Sequence, residues 1–384
     1  MIPIIKPLMD EREAEAARRV ILSGWITQGP EVAAFEKEFA AFTGAEHAIA
    51  ASNCTTALHL ALIAAGIKSG DEVITVSHSF IATANVIRYC GATPVFIDVD
   101  PVNFNIDTTR IEAAIKPKTR AILCVHQMGM PCDLTAIVKI ARSRGLVVIE
   151  DAACAIGSEI LWDGQWEKIG KAHGDIACFS FHPRKIMSTG DGGMITTNNK
   201  DWAARCRLLR QHGMSVPDTV RHGSSKVIFE AYPIVGYNYR MTDIQAAVGR
   251  EQLKRLPEIV ARRREIAEQY RRLMSDIPGL TLPTEPEWAR SNWQSFCVRL
   301  PQNLDQREVM QNMLDAGVST RRGVMCSHRE EPYLDARRFG ELGNSEDAQD
   351  QCIVLPLYGQ MTSADVSTVA QALRGACGVA SRAA

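Results

Sequence analysis

The sequence lacks any long apolar run, any apolar leader and any excess of one charge. No run approaches the roughly 20 apolar residues that a membrane-spanning helix needs. The first seven residues, MIPIIKP, do not contain the apolar core of a signal peptide. The net charge of −1 predicts no general attraction to nucleic acid or to an anionic membrane. We therefore expect a cytoplasmic protein that binds neither.

Motifs for metal, disulfide and dinucleotide chemistry are also missing. The 11 cysteines are an odd number, none forms a Cys-x-x-Cys pair, and no His-Glu-x-x-His is present. Most stand inside apolar runs, as Cys124 and Cys178 do, which is typical of buried free thiols in a reducing compartment. No Gly-x-Gly-x-x-Gly follows the first predicted strand, so an NAD-dependent oxidoreductase has no support. The sequence predicts neither disulfides nor a metal site.

Short apolar runs alternate with helical patterns through the first two-thirds of the 384 residues. Near-continuous apolar strands that alternate with helices are typical of a mostly parallel sheet covered on both faces. The pattern predicts an α/β fold with helices at 56–65, 81–89 and 134–144. The seven predicted strands are 47–51, 73–76, 94–98, 121–125, 146–149, 176–181 and 194–197.

The remainder of the chain is organised differently. A charged helical pattern from about Gln252 to Ser275 leads into it, and we interpret its charge run as a solvated helix face. Predicted strands at 295–300 and 353–357 then mix with predicted helices at 306–316 and 363–374. We predict two domains. Residues 1–250 form an arm with one helix and a large domain, and residues 251–384 form a smaller α+β domain.

Lys185 stands in a glycine-rich loop between two predicted strands. The segment 180–193 reads SFHPRKIMSTGDGG, and its glycines fit a tight turn near a ligand. Asp151 follows another predicted strand, and such sheets bind ligands at the carboxyl ends of their strands. Pyridoxal phosphate chemistry needs a lysine amine to hold the cofactor and an aspartate to keep its pyridine nitrogen protonated. A surface lysine and a turn-capping aspartate are the alternative interpretations.

Small polar residues lie where the first predicted strand meets an Ala/Leu-rich helix. The segment 52–59 reads SNCTTALH, and Thr55 and Thr56 would add hydroxyl donors to the backbone N–H groups of a helix N-terminus. Such a terminus suits a phosphate group. The same residue types form ordinary N-caps in many proteins. In order with Asp151 and Lys185, the phosphate interpretation is favoured.

Several ordered motifs together resemble the DegT/DnrJ/EryC1/StrS family of sugar aminotransferases. The resemblance implies a fold type I, aspartate aminotransferase-like structure, pyridoxal 5'-phosphate as cofactor, and a homodimer with shared active sites. It covers nearly the whole chain. The motifs are GWITQGP at 24–30, EDAA at 150–153, the Lys185 loop, GYNYRMTD at 236–243 and LPLY at 355–358.

The resemblance also assigns roles to single residues. It places the hydroxyl of Ser180 at the phosphate and the ring of Phe80 on the pyridoxal ring. Asn238 matches an asparagine that reaches the phosphate of the neighbouring subunit. Two positions depart from the family pattern: Cys54 replaces a glycine, and Cys154 replaces a glutamine, histidine or glutamate near the ring hydroxyl of the cofactor.

The substrate site is the least defined part of the prediction. Arginines favour bidentate contacts with phosphate or carboxylate, although salt bridges or exposed turns would explain them equally well. The candidates are Trp25, Thr27 and Gln28 in the arm, His182 beside the lysine loop, Arg240, and the basic cluster Arg321, Arg322 and His328.

The leading hypothesis is an aminotransferase that moves an amino group from glutamate or glutamine to a nucleotide-linked keto-sugar. The residue at the Cys154 position favours a 4-keto-6-deoxy sugar, by resemblance. A keto-cyclitol is the alternative substrate class. Sugar dehydratases of the family replace the lysine with histidine, so Lys185 argues against them. Intact Lys185 and Asp151 also argue against a noncatalytic regulatory or binding protein.

Overall fold

The computed structural model describes residues 1–216, 220–221 and 224–379. The α-helices are α1 (Glu11–Ser23), α2 (Pro30–Thr43), α3 (Cys54–Ala64), α4 (Ala82–Tyr89), α5 (Thr108–Ala114), α6 (Leu134–Arg144), α7 (Lys200–Leu209), α8 (Asp243–Met274), α9 (Gln306–Asp315), α10 (Gly343–Gln351) and α11 (Ser363–Ala376). Short 3-10 helices lie at Gln127–Gly129, Ser327–Arg329 and Glu331–Tyr333. In the part of the chain described, no helix is long and apolar enough to cross a membrane.

The strands form one large and two small sheets. They are β1 (His47–Ala51), β2 (Glu72–Val76), β3 (Thr93–Ile97), β4 (Thr119–Val125), β5 (Val147–Asp151), β6 (Glu159–Trp162), β7 (Gln165–Lys168), β8 (Ile176–Ser180), β9 (Gly193–Thr197), β10 (Ala289–Arg290), β11 (Phe296–Arg299), β12 (Arg321–Arg322), β13 (Arg337–Arg338) and β14 (Cys352–Leu355).

The large sheet has eight strands in the order β1-β9-β8-β5-β4-β2-β3-β13. Strand β9 runs antiparallel to β1 and β8, whereas the other pairs are parallel. All seven predicted strands are present, with ends within two residues of the prediction. The eighth strand, β13, comes from the later part of the chain and pairs Arg337 with Val95. Two arginines carry no apolar pattern, so sequence periodicity could not reveal it.

Two main clusters of buried apolar side chains form the core. The larger runs from Val32 to Val260 and includes the strands of the large sheet. The second runs from Ile266 to Leu373 and packs the small sheet β11-β14-β12 against helices. Helix α8 contributes to both clusters, so the predicted boundary after residue 250 falls inside a continuous helix. The division into domains 1–250 and 251–384 stays a prediction.

The carboxyl ends of the parallel strands of the large domain reach one edge of the sheet, whereas β9 runs in the opposite direction. Parallel pairing in register, as between Val125 and Asp151, brings the carboxyl ends of β4 and β5 together. The backbone N–H of Ala152 then donates to the carbonyl of Cys178 at the end of the next strand. The N-terminus of α3 joins the same edge because β1 precedes it directly. This edge is where ligands bind in open α/β sheets.

Candidate active site

A cavity of about 860 Å³ opens at the carboxyl edge of the large sheet. The large domain lines it with Asp151, Lys185 and the first turn of α3. The later part of the chain closes the opposite side with β12 and the end of β14. The arm adds Ile4 and Ile5. The structure therefore brings the two residues singled out for cofactor chemistry into one cavity.

Asp151 is a buried carboxylate held by neutral donors. Asp151 is 5% exposed. Oδ2 accepts a hydrogen bond from Thr83 Oγ1 at 2.8 Å, and Oδ1 accepts one from the backbone N–H of Ala153 at 3.2 Å. Burial raises the pKa of Asp151, and these hydrogen bonds only partly oppose the effect. The amine of Lys185 acts on this carboxylate electrostatically, but among the described residues no cation forms a salt bridge with Asp151, which favours a ligand that brings a positively charged N–H.

Lys185 points its amine at the side chain of Cys154. Nζ lies 3.1 Å from Sγ, and both residues line the cavity. Burial is the largest single influence and by itself would lower the pKa of Lys185, but the sulfur of Cys154 and other neighbours together raise it. Cys54 and Asp151 act in the same direction as Cys154. The amine is thus held as a cation until its surroundings change.

The phosphate candidates stand at the N-terminus of α3. Asn53 caps this helix by accepting the N–H of Thr56 at 2.9 Å, while the hydroxyl of Thr56 donates back to the carbonyl of Asn53. The hydroxyl of Thr56 is therefore used by the cap rather than by a ligand. The hydroxyl of Thr55 makes no hydrogen bond to another described residue and lines the cavity. Ser180 also lines it, and its Oγ accepts only a long bond of 3.4 Å from the N–H of His182.

A glycine sets how closely the lysine loop approaches this helix. A Cβ on Gly193 would lie 2.4 Å from the carbonyl oxygen of Asn53. Real Cβ atoms do not come so close, so any larger residue would push β9 away from the cap of α3. Gly193 thus allows the strand after the lysine loop to lie close to the N-terminus of α3.

Three further side chains face the cavity. Two of them were predicted from the sequence, and the third was not. Phe80 is 63% exposed and stands at its wall, where a flat ring could lie against it. His182 accepts the N–H of Arg184 at Nδ1, which leaves Nε2 for a ligand. Gln294 was missed by the sequence interpretation; its Oε1 is buried without a hydrogen-bond partner. No motif precedes Gln294, so only the folded chain reveals it.

One group of side chains that line the cavity is basic. Arg184, Arg321 and Arg322 all line it, and none of them forms an ion pair with a carboxylate of the described residues. Burial, Arg184 and Arg322 together lower the pKa of Arg321. Guanidinium groups that repel one another favour a bound anion between them.

Comparisons with known proteins identify the family. The model of the DegT/DnrJ/EryC1/StrS aminotransferase family matches residues 7–374. The chain belongs to this family. Among its relatives are the spore coat polysaccharide biosynthesis protein SpsC of Bacillus subtilis, 38% identical over 381 residues (97% of this chain and 96% of that protein), and GDP-perosamine synthase of Caulobacter vibrioides, 40% identical over 376 residues (97% of each).

A solved structure agrees with the fold of this aminotransferase. The aminotransferase TlmJ from Streptoalloteichus hindustanus superposes with a TM-score of 0.90, at 34% identity, over 98% of this chain and 99% of that one. The predicted fold type I architecture is confirmed. The protein is a transferase of a pyridoxal phosphate-dependent family. The interpretation as a noncatalytic binding protein is set aside.

The cavity of this aminotransferase fits the cofactor of its family. The carboxylate of Asp151 forms no salt bridge with a described residue, the amine of Lys185 is within the same cavity, and the hydroxyl of Thr55 makes no hydrogen bond to another described residue. In pyridoxal phosphate, the ring nitrogen would meet Asp151, the aldehyde would meet Lys185, and the phosphate would meet Thr55. The residues present therefore suit pyridoxal phosphate.

Six predicted residues of the aminotransferase do not line this cavity within the described chain. His328 is 2% exposed and sits between Ser77 Oγ, at 2.6 Å, and Glu346 Oε1, at 2.9 Å, so it joins the two parts of the chain instead of meeting substrate. A basic run in the sequence gives no sign that His328 is buried. The other five are Asn238, Arg240, Trp25, Thr27 and Gln28, which stand apart from the cavity.

Proposed function

We propose that this aminotransferase transfers an amino group from glutamate or glutamine to a nucleotide-linked keto-sugar. One observation carries the proposal: Lys185, Asp151 and arginines without an ion pair to a described residue all line the same cavity. Lys185 and Asp151 support amino transfer, and the arginines support an anionic substrate. The relatives named for GDP-perosamine synthesis and polysaccharide biosynthesis support a sugar as the acceptor.

Each residue has a role in the proposal. Pyridoxal phosphate, when bound, supplies an aldehyde and an electron-accepting ring. Asp151 keeps the ring nitrogen protonated, while Thr55, Ser180 and the first turn of α3 bind the phosphate. Lys185 holds the cofactor and then, as a free amine, removes a proton from the carbon that bears the donor nitrogen. Its Nζ would then deliver that proton to the aldehyde carbon of the cofactor. Phe80 lies on the ring.

The arginines are proposed to select the acceptor. Arg184, Arg321 and Arg322 can together neutralise a diphosphate, and Arg321 and Arg322 are exposed enough to reach a ligand entering from solvent. His182, with Nε2 free, is proposed to donate to a sugar hydroxyl. We retain a 4-keto-6-deoxy sugar as the acceptor because of the residue type at Cys154.

We also propose that the enzyme works as a cytoplasmic homodimer with shared active sites. Asn238 is exposed, and Arg240 Nε donates to its Oδ1 at 3.2 Å. Large apolar side chains lie exposed just before it, with Phe229 at 88% and Val235 at 89%. A second copy of the chain would cover these side chains, and Asn238 of one copy would then reach the phosphate site of the other. All 11 cysteines are free thiols, which suits a reducing compartment.

Absorption spectroscopy tests the first half of the proposal. The purified protein with pyridoxal phosphate should show the near-visible band of a lysine-bound cofactor, and glutamate should bleach it. Lys185→Ala should lack the band, whereas Lys171→Ala, a change at an exposed lysine outside the cavity, should keep it. A wild-type protein without the band at excess cofactor would refute the cofactor assignment.

A substrate screen tests the second half. After glutamate has converted the cofactor to its amine form, a nucleotide-linked 4-keto-6-deoxy sugar should restore the original absorption band. Arg321→Ala should raise the KM for that sugar by about tenfold to hundredfold, since a charged hydrogen bond contributes about 1.5–3 kcal/mol. The glutamate half-reaction should be unchanged. Restoration by a keto-cyclitol but by no nucleotide sugar would contradict the proposed substrate class.

A further inference from the structure

The amine that must hold the cofactor lies against a thiol. Lys185 Nζ and Cys154 Sγ are 3.1 Å apart, and both face a cavity of about 860 Å³ that is open to small solutes. Cys154 is half-buried, unlike the fully buried Cys124 and Cys178. It is therefore a thiol that a small oxidant can reach and that already touches an amine.

The backbone on both sides of this contact is fixed. Asn292 Nδ2 donates to the carbonyl of Cys154 at 2.8 Å, which holds the loop after β5. On the other side, the N–H of Lys185 donates to the carbonyl of His182 at 2.8 Å. Gln294 Nε2 donates to the carbonyl of Arg184 at 2.7 Å. The sulfur and the nitrogen are thus held near each other by the fold rather than by their own contact alone.

We propose that Cys154 and Lys185 form a covalent modification site, at which hydrogen peroxide oxidises the thiol and the lysine amine captures the product as a sulfur–nitrogen crosslink. The site takes a small peroxide as its reactant. It acts on the protein while no cofactor occupies the lysine.

The reaction balances in two steps. In the first, the sulfur of Cys154 attacks one peroxide oxygen, the O–O bond breaks, and sulfenic acid and one water form. In the second, Lys185 Nζ attacks that sulfur, the S–O bond breaks, and the departing hydroxide takes a proton from nitrogen to leave as water. Thiol, amine and one peroxide thus give the crosslink and two waters. Sulfur is oxidised, and peroxide oxygen is reduced.

The charges around Lys185 favour the order of these steps. Before oxidation, burial lowers the pKa of Lys185, but Cys154, Cys54 and Asp151 together raise it, so the amine is a cation beside the sulfur of Cys154. A sulfenic acid is uncharged at sulfur, so the largest raising contribution is removed. Burial then favours the neutral amine, which is the nucleophilic form. Asp151 and Cys54 still oppose this change.

Cys54 is the other thiol on this side of the cavity, and it suits a disulfide with Cys154 less well. Burial raises the pKa of Cys54 well above its ordinary value, so its thiolate is scarce. Its Sγ contacts the carbonyl of Cys178 at 3.7 Å. Lys185 is the nearer and better-placed nucleophile.

The crosslink would block cofactor loading. Its nitrogen has only one hydrogen left, so it cannot condense with an aldehyde as a primary amine does. Two equivalents of a thiol reductant would break the S–N bond and return the free thiol and amine, with formation of one reductant disulfide. We therefore expect that the oxidised protein cannot bind pyridoxal phosphate through Lys185 until the crosslink is reduced.

Peptide mass spectrometry tests the inference on the full-length, cofactor-free protein. After treatment with hydrogen peroxide, alkylation and digestion, the peptides of Cys154 and Lys185 should be found joined, with the loss of two hydrogen atoms. Cys154→Ser should abolish the joined species. Cys54→Ala should keep it. The half-buried Cys90, whose pKa burial raises to about 11, serves as the matched control: Cys90→Ser should also keep it.

Several results would overturn the inference. Cys154 oxidised with Lys185 still free would show that the amine does not capture the sulfur. A Cys154–Cys54 disulfide would show that Cys54, and not Lys185, captures the oxidised sulfur. A joined Cys154–Lys185 pair that has gained oxygen would exclude a direct S–N bond. Joined protein that still develops the lysine-bound cofactor band would refute the block on loading. The mass readout needs no catalysis, so it does not depend on the proposed substrate.

Discussion

Thr83→Val tests whether the environment of Asp151, and not its presence alone, governs amino transfer. Thr83 is 1% exposed, and its Oγ1 donates to Asp151 Oδ2 at 2.8 Å. Valine has nearly the same shape but no hydroxyl. A hydrogen bond to a charged group contributes about 1.5–3 kcal/mol, so the ionised form of Asp151 loses that stabilisation. If this loss falls on the transition state, kcat/KM drops about tenfold to hundredfold.

The assay follows kcat/KM against pH together with cofactor affinity. Burial already raises the pKa of Asp151, and losing the Thr83 donor raises it further. The acidic limb of the pH profile should therefore move to higher pH in Thr83→Val and return in Thr83→Ser. Ser79→Ala, which removes only the contact between Ser79 and Thr83 hydroxyls at 2.8 Å, should have a smaller effect. A valine variant with wild-type turnover and an unmoved profile would refute the reasoning.

Two further substitutions test packing and charge by urea unfolding of the cofactor-free protein. Gly193→Ala should destabilise the fold by about 1–3 kcal/mol because its Cβ would lie 2.4 Å from the carbonyl of Asn53; Gly375→Ala, with open space around its Cβ in helix α11, should be neutral or stabilising. Asp151→Asn should stabilise the protein at pH 7–8 by on the order of 1 kcal/mol, because the folded carboxyl has a raised pKa and its ionised form costs stability. That gain should fade as the pH falls towards the ordinary pKa of 3.8, where both folded and unfolded carboxyls are protonated; an unchanged gain at low pH would contradict it.

The placement of Lys185 and Asp151 at one edge of the sheet could be predicted because the order of strands along the chain decides it. Lys185 follows one buried strand and Asp151 ends another, and parallel strands must bring their carboxyl ends to one edge. Roles that depend on side-chain direction were harder to predict. Thr56 caps α3 with its hydroxyl, and His328 is buried against Ser77, because capping and burial are set by three-dimensional neighbours.

Helix ends show the same division. The start of α8 was predicted near Gln252, but the helix begins at Asp243, where Thr242 and Gln245 form a capping box. That signal was present in the sequence, since a threonine three residues before a glutamine is a known helix start. Helix α2 and the hairpin β6–β7 were also missed. Their patterns are short or evenly mixed, so tertiary packing rather than periodicity decides them.

The sequence by itself determined the seven main strands, the family, and the placement of Lys185 and Asp151 at the same sheet edge. Apolar periodicity and strand order are local or topological properties, and both can be read along the chain. Only the tertiary structure decided that Cys154 touches Lys185, that Gln294 leaves an unpaired oxygen at the cavity, and that arginines line the same cavity. These contacts join segments more than 30 residues apart, and a distance of 3.1 Å depends on how every element between them packs.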